Sequence, residues 1–112
     1  MAARSPRTTR PPAIPERAIQ AAIIEYLRWR GFYVQRLNSG AARVESGHLI
    51  RMAAAGTPDV LAIKDGRALF VEVKRPGNKP TALQQAMMET LRGYGARCLV
   101  ATSVEDLHAA GI

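Results

Sequence analysis

The stretch Gly56-Thr57-Pro58-Asp59-Val60-Leu61-Ala62-Ile63-Lys64-Asp65-Gly66-Arg67-Ala68-Leu69-Phe70-Val71-Glu72-Val73-Lys74 decides how the rest of the chain is read. Two runs rich in Val, Ile, Leu and Phe flank Asp65-Gly66, the dipeptide best suited to the positive φ angles of a two-residue type I′ turn, so the segment reads as a β-hairpin. The turn sets the register. With Lys64 facing Arg67, Ile63 stands opposite Ala68, Leu61 opposite Phe70, and Asp59 opposite Glu72. Side chains alternate along a strand, which puts Asp59, Leu61 and Ile63 on one face with Phe70, Glu72 and Lys74 and sends Val71 and Val73 to the other.

Directly opposed residues have Cβ atoms about 4.5 to 5.5 Å apart, where like charges destabilise the pairing. A shared proton, a neighbouring ammonium such as that of Lys74, or a divalent cation between the carboxylates would each offset the repulsion, and the cation would do so best. The plainer reading makes Glu72 and Lys74 the solvated face of an edge strand, since half-exposed strands routinely carry charges. Against it stand Pro58 directly before the acid, an acid and a lysine two residues apart, and apolar residues on both sides of Glu72.

A chain of 112 residues supports one hydrophobic core and not two. Residues 1–13 carry Arg4, Arg7 and Arg10, several prolines and no acid, a composition that reads as a flexible basic arm, either simply disordered or touching a nucleic-acid backbone; the folded domain is expected over 14–112. No run approaches the roughly 20 apolar residues of a membrane span, and no apolar segment follows the basic amino terminus as a secretory signal would require. The lone cysteine, Cys98, lies in an apolar run and reads as a buried thiol in a reducing, cytoplasmic setting. Sixteen Lys and Arg against nine Asp and Glu leave a net charge of +7, mainly on arginine, which suits a polyanionic partner.

From Pro15 to Arg30, Ile19, Ala22, Ile23, Tyr26 and Leu27 recur at helical spacing, with Gly31 ending the run. Glu16 sits in the first turn, where the helix dipole alone accounts for an acid, and Gln20 lies one turn on along the same side. Phe32 to Leu37 reads as a strand broken by Asn38-Ser39-Gly40. Ala41 to Met52 reads either as a second hairpin turning at Glu45-Ser46-Gly47 or as a loop; its His48 has no partner at metal-ligand spacing and reads as a surface residue. The small residues Ala53-Ala54-Ala55-Gly56 let the backbone approach a neighbour closely. After the central hairpin, Arg75-Pro76-Gly77-Asn78-Lys79-Pro80 forms a polar turn, and Thr81 with Gln84 makes a capping box that opens a second helix. Its stripe of Leu83, Ala86, Met87, Leu91 and Tyr94 is expected to cover the sheet. Arg97 to Thr102 reads as a strand, and Ser103 with Asp106 caps a last helix from Val104 to about Ala110. The fold class is α/β, a mixed β-sheet flanked by helices.

Pro58-Asp59 followed by Glu72-Val73-Lys74 resembles the PD-(D/E)xK nuclease signature. The wider set resembles its VRR-NUC branch: Glu16 with Ile19-Gln20, Asn38-Ser39-Gly40, Gly56-Thr57-Pro58-Asp59, Phe70-Val71-Glu72-Val73-Lys74, and Thr81 with Gln84. The resemblance runs from about Glu16 to Leu107 and implies a restriction-endonuclease-like core. Small stand-alone members are similar to Holliday-junction resolvases of bacteria and viruses that act as homodimers, so branched or otherwise structured DNA is the implied partner and the cytoplasm of a bacterial or virus-infected cell the implied setting.

Carried over by position, the resemblance makes Asp59 and Glu72 ligands of a divalent metal together with the backbone carbonyl of Val73, with Glu16 joining directly or through water. It puts Lys74 beside the attacking water, and makes Gln84 the residue that orients that water or the phosphate. Oxygen-only ligands point to Mg²⁺ or Mn²⁺, since zinc normally recruits His or Cys. Lys74 is then favoured as a charge stabiliser and water-positioner over a free base. Two other classes stay open. One is a non-catalytic nucleic-acid-binding module that contacts backbone through Arg43, Arg51, Arg75 and Lys79. The other is an interaction protein whose charged hairpin merely faces water.

Overall fold

The computed structural model describes residues 13–37, 41–43, 49–51 and 54–112, the two short segments 41–43 and 49–51 by their backbone alone. The expected arm over 1–13, apart from its last residue, Asn38-Ser39-Gly40, the turn at Glu45-Ser46-Gly47 and His48 lie outside the described residues.

Asp65 and Gly66 adopt φ angles of 52° and 75°, so the central turn has the positive-φ pair that its sequence calls for. It joins β4 (Val60–Lys64) to β5 (Arg67–Val73), and the ladder pairs Lys64 with Arg67, Ile63 with Ala68, Leu61 with Phe70 and Val60 with Val71, the register read from the sequence. β1 (Tyr33–Arg36) runs antiparallel to β4 on one side, and β6 (Arg97–Ala101) runs parallel to β5 on the other. The result is a four-stranded mixed sheet in the order β1-β4-β5-β6. The segment expected as a hairpin or a loop contains two strands, β2 (Ala41–Arg43) and β3 (Leu49–Arg51), which pair antiparallel as a separate sheet.

Helix α1 (Glu16–Trp29) buries Ile19, Ile23 and Leu27, three positions spaced by four, against the Val71 and Val73 face of β5. Val60, Ala62, Val71, Val73 and Ala101 are all fully buried in this layer, together with Leu107 of α3 (Val104–Ala109). Each such side chain contributes roughly 1.5 to 3 kcal/mol when aliphatic and large. α1 ends in a Schellman motif, with Phe32 N–H donating to the Leu27 carbonyl and Gly31 N–H to that of Arg28, while Lys64 Nζ donates to the Arg30 carbonyl at 2.8 Å. The core therefore fixes the side of β5 opposite Glu72.

Helix α2 (Ala82–Gly93) lies on the other face, and its start is the expected capping box: Thr81 Oγ1 accepts from Gln84 N–H at 3.1 Å and Gln84 Oε1 from Thr81 N–H at 2.9 Å. Its inward stripe differs from the expected one. Met88 is buried and Gln84, Met87 and Leu91 are half-buried, whereas Ala86 is exposed and Leu83 and Tyr94 are 56% and 88% exposed. The reason is at both ends of the stripe. Gln84 turns inward to meet Glu72, and Met88 sits over Cys98 of β6, whose thiol approaches the Met88 carbonyl at 3.6 Å. Burial pushes the Cys98 thiol above its ordinary pKa, as expected of an inert core cysteine. α3 starts as its sequence predicts, with Ser103 Oγ accepting from Asp106 N–H, and Asp106 held below the usual carboxylate range by the Thr102 amide and hydroxyl.

Candidate active site

Pro58 ends the chain's approach to the sheet as a fully buried residue, and Asp59 follows immediately before β4 at 5% exposure. The ladder pairs Val60 with Val71, so one step further Asp59 comes alongside the Glu72–Val73 end of β5. Asp59 Oδ2 accepts a 2.7 Å hydrogen bond from the backbone N–H of Val73, which fixes the first carboxylate to the strand that bears the second. Its main-chain carbonyl accepts from Leu37 N–H at 2.8 Å, so the same residue also ties in the strand β1 side.

Glu72 is 1% exposed. Its Oε1 accepts from Gln84 Nε2 at 3.1 Å and lies 3.9 Å from Lys74 Nζ, a charge contact too long for a hydrogen bond. No donor faces its buried Oε2. Burial above all, then the Asp59 charge and a hydrogen bond to the Asp59 side chain, push the Glu72 carboxyl up to about 8; the Lys74 ammonium pulls the other way and Glu16 adds a smaller upward push. When Glu72 is ionised, its buried Oε2 has no donor. The structure thus sets two acids against each other in a dry place where either a proton or a cation adds stabilisation.

Of the residues predicted from sequence, Asp59, Glu72, Lys74 and Gln84 meet at the end of β5, joined by the amide of Val73. Glu16 acts on Glu72 through space. Among the described residues no three of His, Cys, Asp and Glu gather closely enough to hold a metal, so Glu16 is not a preassembled third ligand. Gln20, one turn on from Glu16, is buried at 8% exposure. Arg75 and Lys79 are exposed on the loop that follows Lys74, a turn closed by Asn78 N–H donating to the Arg75 carbonyl. Arg43 and Arg51 lie in the two-stranded sheet, their side chains outside the described residues.

In the structure both ends of the Gln84 amide are engaged, one by Thr81 and the other by Glu72, so the residue also steadies a carboxylate of the site. The signal for this was the capping box itself, which turns the N3 side chain back toward the helix start. The donor set fits a hard divalent cation: two buried carboxylates, no sulfur or imidazole, and one carboxylate oxygen without a donor.

Among the described residues no helix is long and apolar enough to cross a membrane. No family model matches the sequence, and no curated protein matches it. A solved structure described as a VRR_NUC domain superposes with a TM-score of 0.62 at 27% identity, covering 84% of this chain and 90% of that one. Over most of its length the chain is therefore similar to a VRR_NUC domain, and its mixed sheet flanked by helices is a nuclease fold with a restriction-endonuclease-like core.

Proposed function

We propose that this domain is a divalent-metal-dependent endonuclease that hydrolyses phosphodiester bonds in structured DNA, with the four-way Holliday junction as its substrate and a homodimer as its working form. The observation that carries the reading is Glu72: a fully buried carboxylate, one oxygen without a donor, set beside Asp59 and Lys74 on a nuclease fold.

Asp59 and Glu72 would hold Mg²⁺ or Mn²⁺ with the Val73 carbonyl, and Glu16 would complete the shell directly or through water. Such an ion acidifies water and offsets negative charge on phosphoryl oxygens. The protein's own groups account for the rest. The Asp59 side chain is oriented by Val73 N–H and that of Glu72 by the Gln84 amide, so neither carboxylate has to be ordered when substrate arrives. Lys74, 13% exposed at its side chain, is the cation that faces the scissile phosphate and stabilises charge building there. Arg75 and Lys79, next along the chain and exposed, would contact the DNA backbone, as would Arg43 and Arg51. A cytoplasmic location is consistent with the lone buried thiol of Cys98.

A panel of linear, flap and four-way DNA substrates incubated with Mn²⁺ and with Mg²⁺ tests this. The wild type is expected to cut the four-way substrate, and Glu72→Ala to bind it without cutting. Salt-dependent binding with no cleavage under either ion would instead make the domain a binding module.

A further inference from the structure

We propose that Gly56 is a positioning residue for the carboxylate pair: its missing side chain lets the loop before Asp59 close on the first turn of α2, and so seats Gln84 against Glu72. The inference rests on that pair being the working site. Gly56 has φ +85°, and a Cβ placed on it would lie 2.9 Å from the Leu83 carbonyl oxygen, 3.0 Å from Leu83 Cγ and 3.1 Å from the Leu83 carbonyl carbon. Real Cβ atoms essentially never come as close as the first of these, and the other two are tighter than most such contacts. Two of the three contacts are main chain, which cannot rotate away, so any side chain at 56 must move the helix start or the loop.

Both movements reach the site. Leu83 immediately precedes Gln84, whose Nε2 reaches Glu72 Oε1 at 3.1 Å, close to the outer limit of a good hydrogen bond. Gly56 itself lies three residues before Asp59, whose Oδ2 is held by Val73 N–H. The capping box makes Thr81, Leu83 and Gln84 move as one unit, because Thr81 and Gln84 each donate to and accept from the other. A shift of a few tenths of an ångström at Leu83 is therefore passed to the Gln84 amide and takes away the side-chain donor that Glu72 Oε1 has. The Gly56–Leu83 contact is thus the point where the Asp59 loop and the helix that steadies Glu72 are set relative to each other.

Two variants separate the effects of conformation and of bulk. Gly56→Ala introduces the Cβ and the positive-φ strain together, while Gly56→Asn introduces the same Cβ with the residue type that best tolerates positive φ and so keeps the fold. The readout that needs no activity is the NMR signal of the Gln84 side-chain amide. In both variants it is expected to leave its wild-type position for the one it takes in Glu72→Ala. In cleavage, Gly56→Asn should lose up to about tenfold and no more than Gln84→Ala loses, as expected for a small displacement of a site group, and Gly56→Asn combined with Gln84→Ala should be no slower than Gln84→Ala alone. An unmoved amide signal in Gly56→Asn, or losses that multiply in the combined variant, would overturn the proposal. Should the wild type cut no DNA at all, the proposed function fails and the amide signal alone decides the role of Gly56.

Discussion

Val73 N–H and Asp59 Oδ2 meet at 2.7 Å, across the two strands of the central hairpin. This bond holds one acid in place without neutralising it, and leaves it beside a second acid whose buried Oε2 has no donor. Repulsion between the two is therefore a property of the folded, metal-free protein.

It follows that Asp59→Asn should relieve part of that repulsion. Asparagine still offers an oxygen to Val73 N–H, and removes one of the like charges. Near pH 8 the metal-free variant is expected to be about 1 kcal/mol or more above the wild type in stability, and to gain nothing from Mn²⁺. Urea unfolding with and without the ion measures both quantities.

The pH dependence has a definite sign. Glu72 sits at about 8 in the folded protein against an ordinary carboxyl value of 4.5, so the native state binds its proton more tightly than the unfolded chain does. Its contribution is fully present below about pH 4.5 and is lost as the pH rises through 8. Metal-free stability should accordingly fall by a few kcal/mol across this window, Glu72→Gln should flatten the slope, and excess Mn²⁺ should restore the wild type at the alkaline end by mass action. Denaturation midpoints taken at pH 5, 7 and 9 for both proteins check it.

The start of α2 links stability to activity. Thr81→Ala removes a capping oxygen at a cost of about 1 kcal/mol, and frees Gln84 from the box that aims it. Gln84→Ala leaves the cap's other half intact but takes the amide from Glu72. Both are expected to slow cleavage, Gln84→Ala by about tenfold or more, with Thr81→Ala losing stability as well. Equal cleavage by Gln84→Ala and wild type would show that this bond does no catalytic service.

Why these relationships were only partly legible in the sequence can be argued from the same residues. The register that puts Asp59 beside Glu72 was readable because Asp65-Gly66 permits one tight turn and strand side chains alternate without exception. The helix starts at Thr81 and Ser103 were readable because capping depends on residues three apart. The inward face of α2 was not. Its apolar residues allow more than one stripe, and the one adopted, Gln84, Met87, Met88 and Leu91, begins with a polar residue whose partner lies on another element. Hydrophobic periodicity does not register that partner, so Leu83 and Tyr94 were placed inside when they face out. The small residues ending at Gly56 did signal a close approach, but only the folded chain names Leu83 as what is approached.

Charges around the site should divide by role. Lys74→Ala removes the cation 3.9 Å from Glu72 and is expected to lower cleavage by about a thousandfold, near 4 kcal/mol of barrier, with little change in DNA affinity. Arg75→Ala and Lys79→Ala, on the exposed turn, should instead weaken binding about equally for all substrates and each lower the salt slope by about one. Anisotropy titrations at several salt concentrations, set beside single-turnover cleavage, distinguish the two patterns.

The most direct test of the account is calorimetric titration of the DNA-free protein with Mn²⁺ near pH 8. Wild type should bind with release of protons, since the ion displaces the one that Glu72 retains, and Glu72→Gln should show neither binding nor proton release. Equal Mn²⁺ affinity in Glu72→Gln and wild type would contradict the claim that Asp59 and Glu72 hold one cation between them.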